Sequence, residues 1–137
     1  NQSLSKTPYT LRGLHYQDPP FAQDKLVRVI RGRILDVAVD IRTSSPTYGQ
    51  WVSLELSADR MNQILVPKGF AHGFVTLEPN TEVFYKVSAP YSSAHDRGIF
   101  YNDPLLNINW GLNEHVPVLS AKDKVAPGFK DLISPFS

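Results

Sequence analysis

The sequence predicts an all-β fold, an antiparallel sandwich or small barrel with short helical segments toward the C-terminus. Three observations predict it. Eleven prolines are spread over 137 residues, and few windows remain for a long helix, because proline removes a backbone donor and clashes with the preceding turn. The segments between them alternate apolar and polar residues with period two, the spacing of a half-buried strand. Turn-forming clusters separate those runs: Arg31-Gly32, Ser44-Ser45-Pro46, Pro67-Lys68-Gly69, Glu78-Pro79-Asn80 and Ala89-Pro90.

Leu11 to Gln17 is strand-like but carries Arg12, His15 and Gln17. Strict alternation puts Arg12 and His15 on opposite faces, unless Gly13 hosts a bulge. Lys25 precedes the apolar run Leu26 to Ile30. In Leu35 to Ile41 the apolar residues share one face and Asp36 and Asp40 the other. Trp51 to Ser57 sets Val52, Leu54 and Leu56 against Ser53, Glu55 and Ser57, and Ala58 to Gln63 reads as one helical turn. After the turn at Pro67 and Gly69, Phe70, His72 and Phe74 share a face. Thr81 to Ser88 turns Val83, Tyr85 and Val87 away from Glu82, Phe84 and Lys86. Ser120 reads as the cap of a short helix with Asp123 at its third position. With no repeat, low-complexity tract or linker, residues 1–137 read as a single domain.

Composition narrows the function. Apolar residues make up 42% and charged residues 20%, a balance that closes a core rather than leaving a disordered chain. Fourteen basic against thirteen acidic residues give a net charge of +1, which argues against a nucleic-acid partner. The chain has no cysteine, so disulfides, thiolate catalysis and Cys-ligated metals are excluded. No apolar run approaches the roughly 18 residues of a membrane span, and no leader pattern opens the chain. The expectation is a soluble, cytoplasmic protein with no membrane partner.

Several residues carry possible chemistry, each with a plainer alternative. His15, His72, His95 and His115 lack the tight spacing of metal ligands. His15 and His72 could converge from adjacent strands, but neither strand shows a nearby carboxylate, so no metal is expected. His72 could equally be a buried, satisfied histidine. Tyr85 is either a phenol bonded to a backbone carbonyl or a proton donor at a cavity. Lys25 is either a strand-end solvent residue or an inward cation, and Asp123 could simply support a helix start.

In order, Leu11-Arg12-Gly13-Leu14-His15-Tyr16-Gln17, Lys25 to Gly32, Asp36 to Asp40, Pro67 to Phe74, Tyr85-Lys86, Arg97-Gly98-Ile99, Asp103-Pro104, Trp110 and Leu119 to Asp123 resemble the dTDP-4-dehydrorhamnose 3,5-epimerase family. The resemblance runs from Asn1 to about Leu132. It implies a cupin-type jelly-roll barrel, a homodimer, and no metal or other cofactor. It also implies that the chain starts inside a Gln-x-Asn element and lacks the family's N-terminal strands. Residue by residue, it makes His15 the general base, Asp123 the carboxylate that orients it, and Tyr85 the general acid across the sugar. Lys25 is then the cation near the C4 oxygen, Arg12 a diphosphate contact and His72 a second histidine of the pocket. Asn1 and Tyr91 would hold the sugar nucleotide, Tyr91 beside the base; by charge alone, Lys25 and either Arg28 or Lys122 could join Arg12 at the diphosphate.

Those residue types suit the chemistry. A proton beside a ketone is removable only if the developing enolate oxygen is stabilised, as by a positioned ammonium. The base needs a near-neutral pKa, which histidine has, and a carboxylate fixes its tautomer. The implied activity is an epimerase inverting C3 and/or C5 of a dTDP-linked 4-keto-6-deoxy sugar, in deoxysugar biosynthesis of the dTDP-rhamnose type. The rivals are a mono-epimerase, a GDP-sugar epimerase, a non-catalytic sugar-nucleotide-binding cupin, and a metal-dependent cupin oxygenase.

Overall fold

A computed structural model describes residues 1–137. Nine strands follow in chain order: β1 (Gln2–Ser5), β2 (Leu11–Gln17), β3 (Lys25–Arg31), β4 (Arg33–Asp40), β5 (Trp51–Ser57), β6 (Gln63–Val66), β7 (Phe70–Thr76), β8 (Thr81–Val87) and β9 (Asp96–Gly98). A short helix α1 (Ala121–Lys124) and a 3-10 turn (Phe129–Asp131) complete the chain. The strands form two antiparallel sheets, ordered β1-β8-β3-β6 and β5-β4-β7-β2-β9.

The sheets meet through Val27, Val29 and Val83 on one side and Ile34, Leu56 and Phe74 on the other. The far face of the five-stranded sheet packs a larger cluster, including Leu11, Leu14, Val37, Val39, Ile41 and Val75. The chain after β9 covers that face with Trp110, Leu106, Phe129 and Phe136. Each fully buried aliphatic side chain contributes roughly 1.5–3 kcal/mol. Eleven buried residues outside the sheet against six between the sheets therefore place most of the apolar stabilisation on the outer face. The space between the sheets is left free for polar side chains.

Both faces of β4 are thus covered: the apolar residues and the two aspartates lie on opposite faces as expected, and neither face meets water. Asp36 and Asp40 are 0% and 2% exposed. Asp40 is satisfied by Arg42, Ser45 and Thr47. The Arg42 bond above all holds its carboxyl well below the usual range, although burial opposes this. Along β5 Leu56 is the only fully buried apolar side chain, while Val52 and Leu54 are exposed, because β5 is the edge strand. Ala58 to Met61 makes a turn, not a helix, and Gln63 already opens β6. Asn62 accepts from the Ser57 amide at 3.2 Å and donates to the Glu55 carbonyl at 2.9 Å, a local competitor to helical bonding.

The pairing of β2 with β7 answers the question of Arg12 and His15. Arg12 lies opposite Phe74 and His15 opposite His72, so β2 spends one extra residue between them. That bulge brings both side chains to the inner face. Gly13 adopts φ +127°, and a Cβ there would lie 2.7 Å from the Gly73 Cα and 2.9 Å from the His72 carbonyl oxygen. Only glycine fits.

Candidate active site

Between the sheets lies a cavity of about 580 Å³. The five-stranded sheet contributes Arg12, His15 and His72 to its wall, and the four-stranded sheet contributes Lys25 and Tyr85. Lys122 and Asp123 reach it from α1. A smaller adjoining cavity of about 140 Å³ shares His15, Lys25, Tyr85 and Lys122 and adds Asn1 and Tyr91. All nine residues singled out in the sequence therefore line these two connected spaces.

His15 and Asp123 are separated by 108 residues, yet His15 Nε2 lies 2.6 Å from Asp123 Oδ1. The other carboxylate oxygen accepts from the Gly13 amide at 3.2 Å. The Asp123 amide donates to the Ser120 hydroxyl at 3.1 Å, the cap anticipated from the sequence. Burial acts to raise the Asp123 pKa, but the His15 bond and charge, with the Gly13 and Ser120 bonds, outweigh it. The carboxyl titrates below its ordinary value. With Nε2–H given to Asp123, His15 Nδ1 remains as the acceptor of a proton.

Lys25 opens β3 and points inward. Burial lowers its pKa, and the charges of Asp36 and Asp96 partly offset that. Arg12 makes a single long contact, 3.5 Å, to the Ser5 hydroxyl. Lys122 Nζ lies 2.5 Å from Asp96 Oδ2. Burial, the largest single influence, works to lower the Lys122 pKa, but the bond to Asp96 together with the charges of Asp96, Tyr91 and Asp123 outweighs it and the net shift is upward. Tyr85 sits one strand from Lys25, opposite Val27, and its backbone pairs with Asn1 at 2.9 and 3.0 Å.

The model of the dTDP-4-dehydrorhamnose 3,5-epimerase family matches residues 1–131. The chain belongs to this family. It is 54% identical over 132 residues to the dTDP-4-dehydrorhamnose 3,5-epimerase of Sinorhizobium fredii, covering 96% of this chain and 67% of that one. A Bacillus anthracis dTDP-4-dehydrorhamnose 3,5-epimerase structure with TDP and pyrophosphate bound superposes with a TM-score of 0.90 at 52% identity, covering 93% and 72% of the two chains. A Legionella pneumophila dTDP-6-deoxy-D-glucose-3,5-epimerase in complex with dTDP-4-keto-L-rhamnose gives 0.90 at 46%, covering 98% and 69%. The two sheets are accordingly those of a cupin-type jelly roll. No helix is long and apolar enough to cross a membrane.

Within this epimerase fold the structure adds residues that the sequence did not single out. His72 Nε2 lies 2.8 Å from Asp36 Oδ2, and the other Asp36 oxygen is buried without a partner. Both histidines thus have a carboxylate: the one expected for His15, and for His72 an unforeseen one that comes from neighbouring β4 and not from its own strand. Asp36 was not marked as a site residue because alternation assigns it a face but no neighbour. Its place on the inner face of β4, diagonal to His72 on β7, was the available signal. Each of these carboxylates bonds one ring, and no group of three or more His, Asp or Glu gathers around a common point. Asp96, which holds Lys122, was equally unmarked.

Proposed function

We infer that the protein is a metal-independent epimerase that inverts C3 and C5 of a dTDP-linked 4-keto-6-deoxy sugar, with His15 as general base and Tyr85 as general acid. The observation that carries this reading is the placement of those two residues on opposite sheets facing one cavity. Inversion requires a proton to leave one face of the sugar and another to arrive at the opposite face. A base and an acid on opposite walls meet that need. His15 Nδ1 takes the proton beside the C4 ketone, and Asp123 compensates the imidazolium that forms. Negative charge develops on the C4 oxygen, where the Lys25 ammonium stabilises it, aided by His72 oriented by Asp36. The Tyr85 hydroxyl then delivers a proton to the far side. Arg12 and Lys122 are the cations for the diphosphate, and Asn1 and Tyr91 contact the nucleotide end.

The reading also takes the enzyme to be a cytoplasmic homodimer formed by a single domain. The absence of cysteine fits a reducing compartment. Leu4, Ile30 and Leu65 are exposed on the side of the four-stranded sheet facing away from the cavity, an apolar face suited to a second copy.

Incubation with dTDP-4-keto-6-deoxyglucose in heavy water tests the activity. Deuterium at both C3 and C5, read by NMR with inverted product, is expected. Deuterium at one carbon alone would reduce the protein to a mono-epimerase, and none at either would leave a binding protein.

A further inference from the structure

We propose that Gln17 is a positioning residue that fixes the loop carrying Tyr91 to the strand carrying His15, and so sets the nucleotide end of the cavity. The inference rests on the nucleotide-sugar reading above. Gln17 ends β2 two residues after His15, and is only 4% exposed. A buried amide needs its hydrogen bonds made. Its Nε2 donates to the Phe21 carbonyl at 2.8 Å and to the Pro90 carbonyl at 3.1 Å. Its Oε1 accepts from the Ser92 amide at 2.9 Å. Both amide hydrogens are therefore spent on backbone, so Gln17 borders the smaller cavity with no donor left for a ligand.

The bonded groups flank Tyr91 on both sides. Between β8 and β9 the chain forms no strand, so no ladder holds this segment. Backbone bonds tie its two ends, Ser88 to the Asp24 carbonyl at 3.1 Å and His95 to the Asp18 amide at 2.9 Å. Around Tyr91 the fastenings are side chains: Gln17, and Gln23, whose Nε2 donates to the Ala89 carbonyl at 2.8 Å. The Tyr91 side of the loop has little packing of its own, since that residue is 65% exposed. An aromatic ring can stack on a nucleobase only if its backbone is held in place beforehand, because ordering it on binding costs affinity. The Gln17 amide supplies that order from the strand that also carries the base.

The test is a double-mutant cycle on dTDP affinity, measured by titration calorimetry with the parent, Gln17→Met, Tyr91→Ala and the double variant. Gln17→Met should weaken dTDP binding about tenfold and raise KM similarly with kcat changed less than twofold, while amide exchange speeds up over residues 89–95. In the Tyr91→Ala background the same substitution should change affinity less than twofold, since its effect passes through the ring. Independent, additive losses would overturn the proposal. If Gln17→Met fails to fold, Gln17→Glu retains the acceptor for Ser92 and carries the same cycle with the same criterion. A parent that does not bind dTDP would overturn the nucleotide reading itself, and this inference with it. A parent that binds dTDP while the effects add would overturn the inference alone.

Discussion

His15 with Asp123 and His72 with Asp36 use the same ring atom, at 2.6 and 2.8 Å, yet their carboxylates are supported differently. Asp123 has donors at both oxygens, from His15 and from the Gly13 amide. Its backbone is fixed by the Ser120 cap. Asp36 has one donor, and its second oxygen is buried and bare. The His15 side chain keeps 26% exposure and His72 only 9%. The first pair joins β2 to α1 across 108 residues, whereas the second is embedded in one sheet between β4 and β7. On the proposed mechanism, the contrast means that similar dyads serve different ends. A fully satisfied carboxylate beside an accessible ring suits proton transfer, which needs a ring held in one tautomer. The more buried pair lies near enough to Lys25 for the Asp36 charge to offset part of the burial that lowers that lysine's pKa, which suits keeping the ammonium charged for the enolate oxygen.

The largest expected effect separates the two rings. If His15 is the sole base, His15→Ala should lower deuterium exchange at both C3 and C5 by about 10³-fold or more. Circular dichroism and nucleotide binding should stay near parental. Exchange at either carbon close to the parental rate would remove the distinction between the pairs.

Next come the carboxylates. At Asp123 an asparagine must face two donors with one oxygen, so one donor meets an NH2 group and is left unpaired. At Asp36 the oxygen can stay toward His72 while the NH2 occupies the position that already lacks a partner. Turnover should therefore fall about 10²-fold in Asp123→Asn and closer to tenfold in Asp36→Asn, the milder end of the range for an orienting group. Steady-state kinetics on the two variants gives the comparison directly, and equal losses would break it.

A smaller effect is on stability and its pH dependence. Burial lowers the Lys25 pKa in the folded protein, so the fold binds that proton less well than the unfolded chain does. The cost is fully present below the folded value and disappears as pH rises past the ordinary lysine value of about 10.4. Lys25→Met should abolish activity yet stabilise the fold on the order of 1 kcal/mol at pH 7, with the gain shrinking toward pH 11. The Asp123 shift has the opposite sign. Its lowered pKa contributes stability that is present above the ordinary aspartate value of about 3.9 and lost as acid titrates the folded carboxyl. Denaturant melts of parent, Lys25→Met and Asp123→Asn across pH check both slopes.

The strand pattern made most of the architecture legible, because period two survives wherever one face packs on a core. Trp51 to Ser57 is a strand at the bounds that its alternation suggested, and the run read as Thr81 to Ser88 is a strand that ends one residue earlier, at Val87. What alternation leaves open is whether the polar face of a strand meets water or a second layer. Asp36 and Asp40 lie on the inner side of a sheet covered on both faces, and covering is a tertiary fact. The site residues were legible as a set only through their order along the chain and the resemblance it carried. Alternation alone put Arg12 and His15 on opposite faces. The bulge at Gly13 depends on the close approach of Gly73 from another strand, which no local pattern encodes. Gln17 was visible as a polar residue in a strand, but its partners Pro90 and Ser92 are more than 70 residues away.

The division of labour between the two sheets is tested most directly by Tyr85→Phe, followed by deuterium incorporation and product configuration on one sample. The substitution removes one hydroxyl from an otherwise apolar strand face, a small structural change. His15 and Lys25 remain, so the enolate still forms and exchange with solvent persists. With no donor on the opposite wall, protonated His15 returns its proton to the side it left, and inversion, above all at C5, drops about 10²-fold or more. Inversion at the parental rate would show that Tyr85 serves only packing. Loss of exchange together with inversion would contradict the assignment of acid and base to opposite sheets.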